Sequence, residues 1–360
     1  MKINSIDNGL TNGLTNPSTF VGNANGMQNS EQQISDVNTF IFTIRTTSTK
    51  TVVLPLVSTG TYAFWVDWGD GIKDFVRAYS QIYSGETVAR THTYPLGLKD
   101  YTIKITGLCR GWSYYALTTE QPKLRSIQQF GCLRLINELT NGGYFGNCIN
   151  NELLFVKDVL NLDGITNMFA VLAGTYRQVN LINNWNFSKV TSISYMFQNN
   201  PVFNQPLGGW NTGSITNMFG VFSGCPEFNQ PLGSWNTGSV TNMTSMFSNT
   251  TKFNQPLDSW DVSQVTFMTS LFSGASAFDQ DIGNWNIGAV TNITGFMSGK
   301  TPATFSAANL DAIYNGWSSR PSQSNLSISF GTANYTIAGG SAGRAILVSR
   351  GWTIVDGGGI

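Results

Sequence analysis

Acid–base or nucleophilic catalysis needs titratable side chains brought together, and this chain offers few. His92 is its single histidine, so any Ser-His-Asp or Cys-His arrangement would have to use it. It lies in Thr91-His92-Thr93-Tyr94, within a region of β pattern. Asp67 and Asp70 flank Gly69 in Asp67-Trp68-Gly69-Asp70-Gly71 and are the candidates for Ca²⁺. No further oxygen ligands follow in sequence, so turn-forming aspartates are the competing reading, and no metal is expected. Asp258, Asp261, Asp279 and Asp281 raise the carboxylate pair of glycoside cleavage, but solvated substitutions account for them as well. Cys109, Cys132, Cys148 and Cys225 lack metal-site spacing. They read as buried free thiols, with a Cys132–Cys148 disulfide as the alternative. No Gly-Lys-Ser/Thr phosphate loop or dinucleotide fingerprint is present. The expectation is a protein that is not an enzyme, has no catalytic residue and needs no cofactor.

The stronger signal is a repeat. Trp185, Trp210, Trp235, Trp260 and Trp285 are spaced 25 residues apart, and side chains recurring at such an interval mark units that bury their apolar faces only by stacking. Val190, Ile215, Val240, Val265 and Val290 form a second column, each followed by threonine. Met-x-x-Met-Phe and Phe-Asn-Gln-Pro-Leu segments complete the unit. Leu160, Ile165, Met168 and Leu172 continue the pattern backwards, and irregular leucine spacing from Leu124 reads as atypical first repeats. The expected coil has a short strand at Leu-x-x-Trp, a compact helical turn at Met-x-x-Met-Phe and a polar turn at Asn-Thr-Gly-Ser. The Trp column is either a sugar-stacking strip or core; the Leu and Phe columns beside it favour core, at about 150–250 Å² buried per ring. The pairs Asn204-Gln205, Asn229-Gln230, Asn254-Gln255 and Asp279-Gln280 pose a similar choice, between a polar ladder linking coils and a ligand-facing row.

Composition narrows the partners. Net charge is zero and 11% of residues are charged, against about 25% in an average soluble protein. Without a Lys/Arg cluster, neither nucleic acid nor an anionic membrane surface is an expected partner. No stretch approaches the roughly 18 apolar residues of a membrane span. Met1-Lys2-Ile3-Asn4-Ser5 leads into polar, Gly/Asn-rich sequence without the apolar core of a secretory signal, which favours another route to the outside. A surface of Asn, Gln, Ser, Thr and Gly suits an exposed or carbohydrate-facing protein better than a cytosolic enzyme.

Four segments follow: a polar arm (1–36), a β-sandwich (37–112), a solenoid of 25-residue repeats (113–300) and a capping segment (301–360). In the second, Trp65-Val66-Asp67-Trp68-Gly69-Asp70-Gly71, Thr91-His92-Thr93-Tyr94 and Tyr101-Thr102-Ile103-Lys104-Ile105 resemble the polycystic-kidney-disease (PKD) type immunoglobulin-like domain. Trp68 stands where that family has Phe, and Gly97 lies four rather than two residues before Tyr101. The repeats, as in Gly233-Ser234-Trp235-Asn236-Thr237-Gly238-Ser239-Val240-Thr241-Asn242-Met243-Thr244-Ser245-Met246-Phe247, resemble the BspA-like bacterial surface leucine-rich repeats. Asn309–Trp317, Ala342–Leu347 and Gly351–Gly358 are similar to the closing segment of such proteins, expected as a short helix and a final strand.

The expected fold is therefore mainly β with short helices: an N-terminal PKD-like sandwich, then a leucine-rich-repeat-like solenoid with a C-terminal cap. The expected function is display of a surface without catalysis. One setting is the virion surface of a bacteriophage, as a decoration protein or fibre bound to capsid or tail subunits. The other is a secreted adhesin at the bacterial cell surface, binding a host protein or glycan.

Overall fold

The structure is a computed structural model that describes residues 38–77, 91–114, 117–137, 143–148, 156–175 and 181–360. The expected arm over 1–36 lies outside them. The described residues are mainly β with two short α-helices. Alternation in β1 (Thr39–Arg45) turns Phe40, Phe42 and Ile44 inward. It lies within a sheet of order β4-β3-β6-β1-β7, formed with β3 (Leu56–Asp67), β4 (Lys73–Arg77), β6 (Asp100–Trp112) and β7 (Leu124–Gln129). All pairings along this path are antiparallel; β8 (Leu133–Arg134) adds to β6 in parallel. A second antiparallel pair joins β2 (Thr51–Val53) to β5 (Thr91–Thr93). The described strands form no closed barrel. Trp112, at the end of β6, meets the rings of Phe40 and Phe42 edge-on at 5.0 and 5.4 Å.

The sheet runs past residue 112. The edge of β1 not used by β6 would otherwise leave its backbone groups unpaired, and β7 fills it, with Leu124 opposite Ile44. Leu124, read from sequence as the start of an irregular repeat, is therefore a strand residue. The next turn is tied to the coils that follow. Phe130 N and Gly131 N donate to the two carboxylate oxygens of Asp158, each at 2.7 Å. Lys157 N donates to Gln128 O at 2.9 Å, and Phe130 packs on Trp185 at 6.1 Å.

From there the 25-residue units stack coil on coil. The strand-like contact is a parallel bridge at the residue after each repeated Thr: Asn167 to Ser192, Asn217, Asn242, Phe267 and Asn292 in turn. This corrects the expected strand at Leu-x-x-Trp, which is a tight turn, with Trp210 N donating to Leu207 O at 3.2 Å. The reason lies in the indole. Leu207 O also accepts Trp235 Nε1 at 3.0 Å, and Leu232 O and Leu257 O take Trp260 and Trp285 in the same way. The Leu carbonyl thus faces the Trp column. The threonines bind as pairs of donors: Thr216 N and Oγ1 both reach Thr191 O, at 2.8 and 3.2 Å. At Met-x-x-Met-Phe no helix forms. Alternate N–H groups donate to the next coil instead, as in Met243 to Phe267 O, Ser245 to Thr269 O and Phe247 to Leu271 O. Left-handed residues make this possible, at Ser245 (φ 54) and Asn249 (φ 57) in that coil. The Trp column is core: its members are 1–4% exposed, and the Phe rings stack from coil to coil, Phe222 to Phe247 at 5.7 Å and Phe247 to Phe272 at 5.5 Å.

The C-terminal segment continues the stack, with more structure than the single helix and strand expected. It holds helix α1 (Ala307–Ser318), β9 (Ser327–Ser329), helix α2 (Ile337–Ser349) and β10 (Thr353–Val355), and β9 pairs β10 in parallel. Phe272 N donates to Phe296 O, Met297 N to Ser329 O and Phe330 N to Val355 O, so the two strands are further rungs of the same ladder. Trp317 on α1 takes the next place in the Trp column, its Nε1 donating to Ile282 O at 3.2 Å. Gly316 lets α1 approach that closely, since a Cβ there would lie 1.9 Å from Gly283 O. Lys300 pins the junction: its buried ammonium donates to the carbonyls of Ala275 (2.6 Å), Phe278 (2.5 Å), Ser276 (3.2 Å) and Thr304 (3.3 Å). Burial pushes this group down to about 8, and the Asp279 carboxylate opposes the shift.

Two substitutions check this architecture. Trp235→Ala should cost about 3–5 kcal/mol, as large aromatic truncations in cores do, and it should loosen adjacent coils because neighbour interfaces carry the stability. Urea unfolding reads the cost; an unchanged midpoint together with strong collisional quenching of the repeat indoles would contradict a core role. Lys300→Met should cost roughly 2–4 kcal/mol by stripping charged donors from buried carbonyls. Hydrogen exchange should then rise in α1 before it rises in the central coils.

Candidate functional site

The Asn-Gln row lies along one side of the stack, half-buried for the most part, and its geometry is a ladder. Asn204 Oδ1 accepts Asn229 N and Gln230 Nε2, both at 3.0 Å. Asn229 Oδ1 does the same for Asn254 and Gln255, and Asn254 Oδ1 for Asp279 N and Gln280 Nε2 at 2.9 and 2.8 Å. One amide oxygen per coil therefore serves two donors of the next, and each of these oxygens is engaged within the protein. Asp279 ends the row. Its Oδ1 accepts Ser306 N (2.9 Å), Ser306 Oγ (3.0 Å) and Asn309 Nδ2 (2.8 Å), and Ser306 in turn caps α1. A carboxylate suits a terminus that meets only donors, which is a physical reason for Asp where the other coils have Asn.

The other acidic candidates hold turns. Asp261 Oδ1 accepts Ser263 N and Asp281 Oδ1 accepts Gly283 N; hydrogen bonds from Ser263 keep the Asp261 carboxyl below its ordinary range. Asp258 is exposed, and its carbonyl accepts Asn284 Nδ2. The structure ties Asp258, Asp261 and Asp281 into these separate turn contacts.

On the sheet domain, Asp67 Oδ1 accepts Gly69 N at 3.0 Å, and its other oxygen lies 3.6 Å from Lys73 Nζ. Asp70 uses one oxygen on Ile72 N (3.2 Å) and the other on His92 Nε2 (2.8 Å). Both side chains of that pair are almost wholly buried. His92 lies flat on Trp68, centroids 4.7 Å apart, and edge-on to Tyr94 at 4.5 Å. Tyr94 Oη donates to Trp68 O at 3.0 Å. Burial pushes the Asp70 carboxyl up, but the hydrogen bonds from His92 and Ile72 outweigh it, and its pKa is lowered. The two Ca²⁺ candidates are thus committed to different partners, and among the described residues no group of three His, Cys, Asp or Glu is placed to hold a metal. All four cysteines are free thiols, Cys132 and Cys148 included. Cys225 Sγ donates to Phe197 O at 2.9 Å, and burial pushes its thiol up to about 12. No described helix is long and apolar enough to cross a membrane.

Sequence reading missed Lys300 and Trp317. Trp317 follows Trp285 by 32 residues rather than 25, so the column resumes out of period. Lys300 occupies the column of Cys225, Thr250 and Ala275, and a lysine among small residues was the available signal.

The Asp70–His92 pair sets an acid limit. A carboxyl whose folded pKa lies below the unfolded value of about 3.9 adds stability that is complete above that value. This stability disappears as pH falls through the folded pKa. Melting temperature should therefore drop below about pH 4, and Asp70→Asn should flatten that limb while lowering stability at neutral pH. Identical acid limbs in both proteins would exclude the pair as the cause. Chelation by EDTA should leave the melting temperature unchanged at neutral pH.

Residues 144–237 and 202–309 match the family model described as Mycoplasma protein of unknown function, DUF285. No curated protein and no solved structure matches the chain. The matched ranges include the described stacked coils, and the match supports their place in a repeat-protein family.

Proposed function

We propose that the chain is a non-enzymatic display protein, in which a PKD-like β-sandwich carries a leucine-rich-repeat-like solenoid of the BspA type. The observation that carries this reading is the fate of the polar side chains. The repeated Thr, Asn and Trp donors and acceptors bind the neighbouring coil, and the single histidine is locked against Asp70. What the coils offer outward is a surface with few charged residues, suited to holding a partner rather than transforming a substrate.

The setting we put forward is the virion surface of a bacteriophage, with the arm over 1–36 or the sheet domain behind it docked to capsid or tail subunits. At about 3.3–3.6 Å per residue, a segment of that length could run far along a partner subunit. A second reading, a bacterial surface adhesin binding a host protein or glycan, is favoured by the match to a family described from Mycoplasma.

Deletion of residues 1–36 should abolish incorporation into particles while leaving the melting temperature of the coils unchanged. A truncated chain that still co-purifies with virions in stoichiometric amount would overturn arm docking. Recovery of the full chain from washed cells by surface proteolysis, with none in particles, would establish the adhesin setting instead.

A further inference from the structure

One place where successive coils depart from one another is the turn at Met-x-x-Met-Phe. The two residues inside Met-x-x-Met and the one after Phe are Thr244, Ser245 and Ser248 in one coil, and Thr269, Ser270 and Ser273 in the next. Nearer the sheet domain the same positions hold Phe169 and Ala170, then Tyr195 and Gln198, then Phe219. Rings replace hydroxyls and glycine at positions that line no core. Phe169, Tyr195 and Phe219 are half-buried and form a row, Tyr195 lying 5.5 Å from Phe169 and 4.5 Å from Phe219.

Tyr195 is held in the left-handed region (φ 57), which costs a bulky residue about 1–3 kcal/mol. Gly220 makes room for it: a Cβ there would lie 2.7 Å from the tyrosine ring. The other coils share this left-handed turn but fill it with Ala170, Gly220, Ser245, Ser270 and Gly295, so the stack sets the backbone and what departs at Tyr195 is the ring. Beside the ring row lies a shallow recess of about 240 Å³, whose wall includes Phe169, Tyr195, Gln121, Asn147, Gln198 and Asn199. Asn147 and Asn199 are also left-handed (φ 58 and 55) and lay their amides over Gly174 and Gly224. Gln121 is anchored through Nε2 to Tyr114 O at 3.0 Å.

We propose that this recess binds a neutral sugar ring, with a C–H face of the pyranose on Tyr195 and Phe169 and its hydroxyls on the surrounding amides. An aromatic face carries the negative side of its quadrupole and receives polarised C–H groups. Side-chain amides both donate and accept, as hydroxyls do. Among the described residues the lining holds no Lys, Arg, Asp, Glu or His, so they offer phosphates, nucleotides and acidic peptides no counter-charge. The volume falls below the roughly 300–1,000 Å³ of pockets for larger ligands, which fits one ring, free or at the end of a chain. The assignment rests on the reading of the coils as a display surface, and it holds for either setting.

The test uses the full chain with methyl pyranosides of neutral hexoses and N-acetylhexosamines, and with linear neutral oligosaccharides, read by saturation-transfer NMR and titration calorimetry. Saturable binding is expected, weakened about tenfold or more by Tyr195→Ser, as for removal of a central aromatic anchor. Ser245 and Ser270 already occupy that left-handed position in other coils, so the variant should keep the fold, as a cooperative melting transition would show. Phe267→Asn, which removes an exposed ring in a different column, should leave binding intact. Binding of both probe classes identifies a free ring as sufficient; binding of oligosaccharides alone identifies a chain end. No saturable binding of any probe, or equal binding by the Tyr195→Ser protein, overturns the assignment. A chain that enters particles or reaches the cell surface yet binds no sugar sinks this assignment and leaves the display reading standing.

Discussion

A coil built almost wholly of turns cannot satisfy its own backbone, and this constraint governs the rest of the molecule. In a helix or a broad sheet, hydrogen-bonding partners come with the secondary structure. Here they come from the coil above or below at the same phase, as Met243 N finds Phe267 O and Thr241 N finds Thr216 O. Every buried N–H and C=O must be met, so the interval between partners has to stay fixed. That is why the repeat keeps to 25 residues through the central coils. The side chains obey the same rule: a Thr Oγ1, an Asn Oδ1 and a Trp Nε1 each bridge to the adjacent coil. Stability in such a stack is close to a sum over neighbours.

A ladder of this kind must also end, and an open end is a template for unwanted pairing. The chain solves the two ends differently. At the first, Asp158 draws the Phe130–Gly131 turn of the sheet domain onto the coils through a carboxylate that accepts two backbone donors. At the last, Asp279 closes the amide row, Trp317 closes the indole column from a helix, and Lys300 gathers the carbonyls of Ala275, Ser276, Phe278 and Thr304. Each terminal device places an ionic group or a helix where the interior coils use a neutral repeated one.

Much of this was legible in the sequence, for a physical reason: columns that repeat are columns that touch. The Trp, Val, Met and Phe columns read directly as core, and the alternation in Thr39–Ile44 and Tyr101–Ile105 read directly as strands. The strand expected at Leu-x-x-Trp was misplaced because an apolar pair three residues apart does not reveal which way the carbonyl between coils points. Trp235 Nε1 on Leu207 O decides that, and it is a contact across 28 residues. Strand β7 went unread because its partner β1 lies some eighty residues earlier and Leu124 looked like one more leucine of a decaying repeat. Asp279 drew notice as a break in a column, but its role depends on Ser306 and Asn309, which no periodicity connects to it.

The same logic says where function must lie. A position that recurs in every coil is fixed by what the neighbouring coil requires of it, so its identity carries no information about a partner. The Asn-Gln row, although polar and partly accessible, is of this kind, since each Asn oxygen already serves two donors. Positions free of the ladder are those at which coils differ. There the chain places Phe169, Tyr195 and Gln198 where later coils have Ser, Thr or Gly, and it puts a tyrosine ring on a left-handed position that the other coils fill with Ala, Gly or Ser. Departure from the repeat, rather than the repeat itself, marks the surface that selects a ligand.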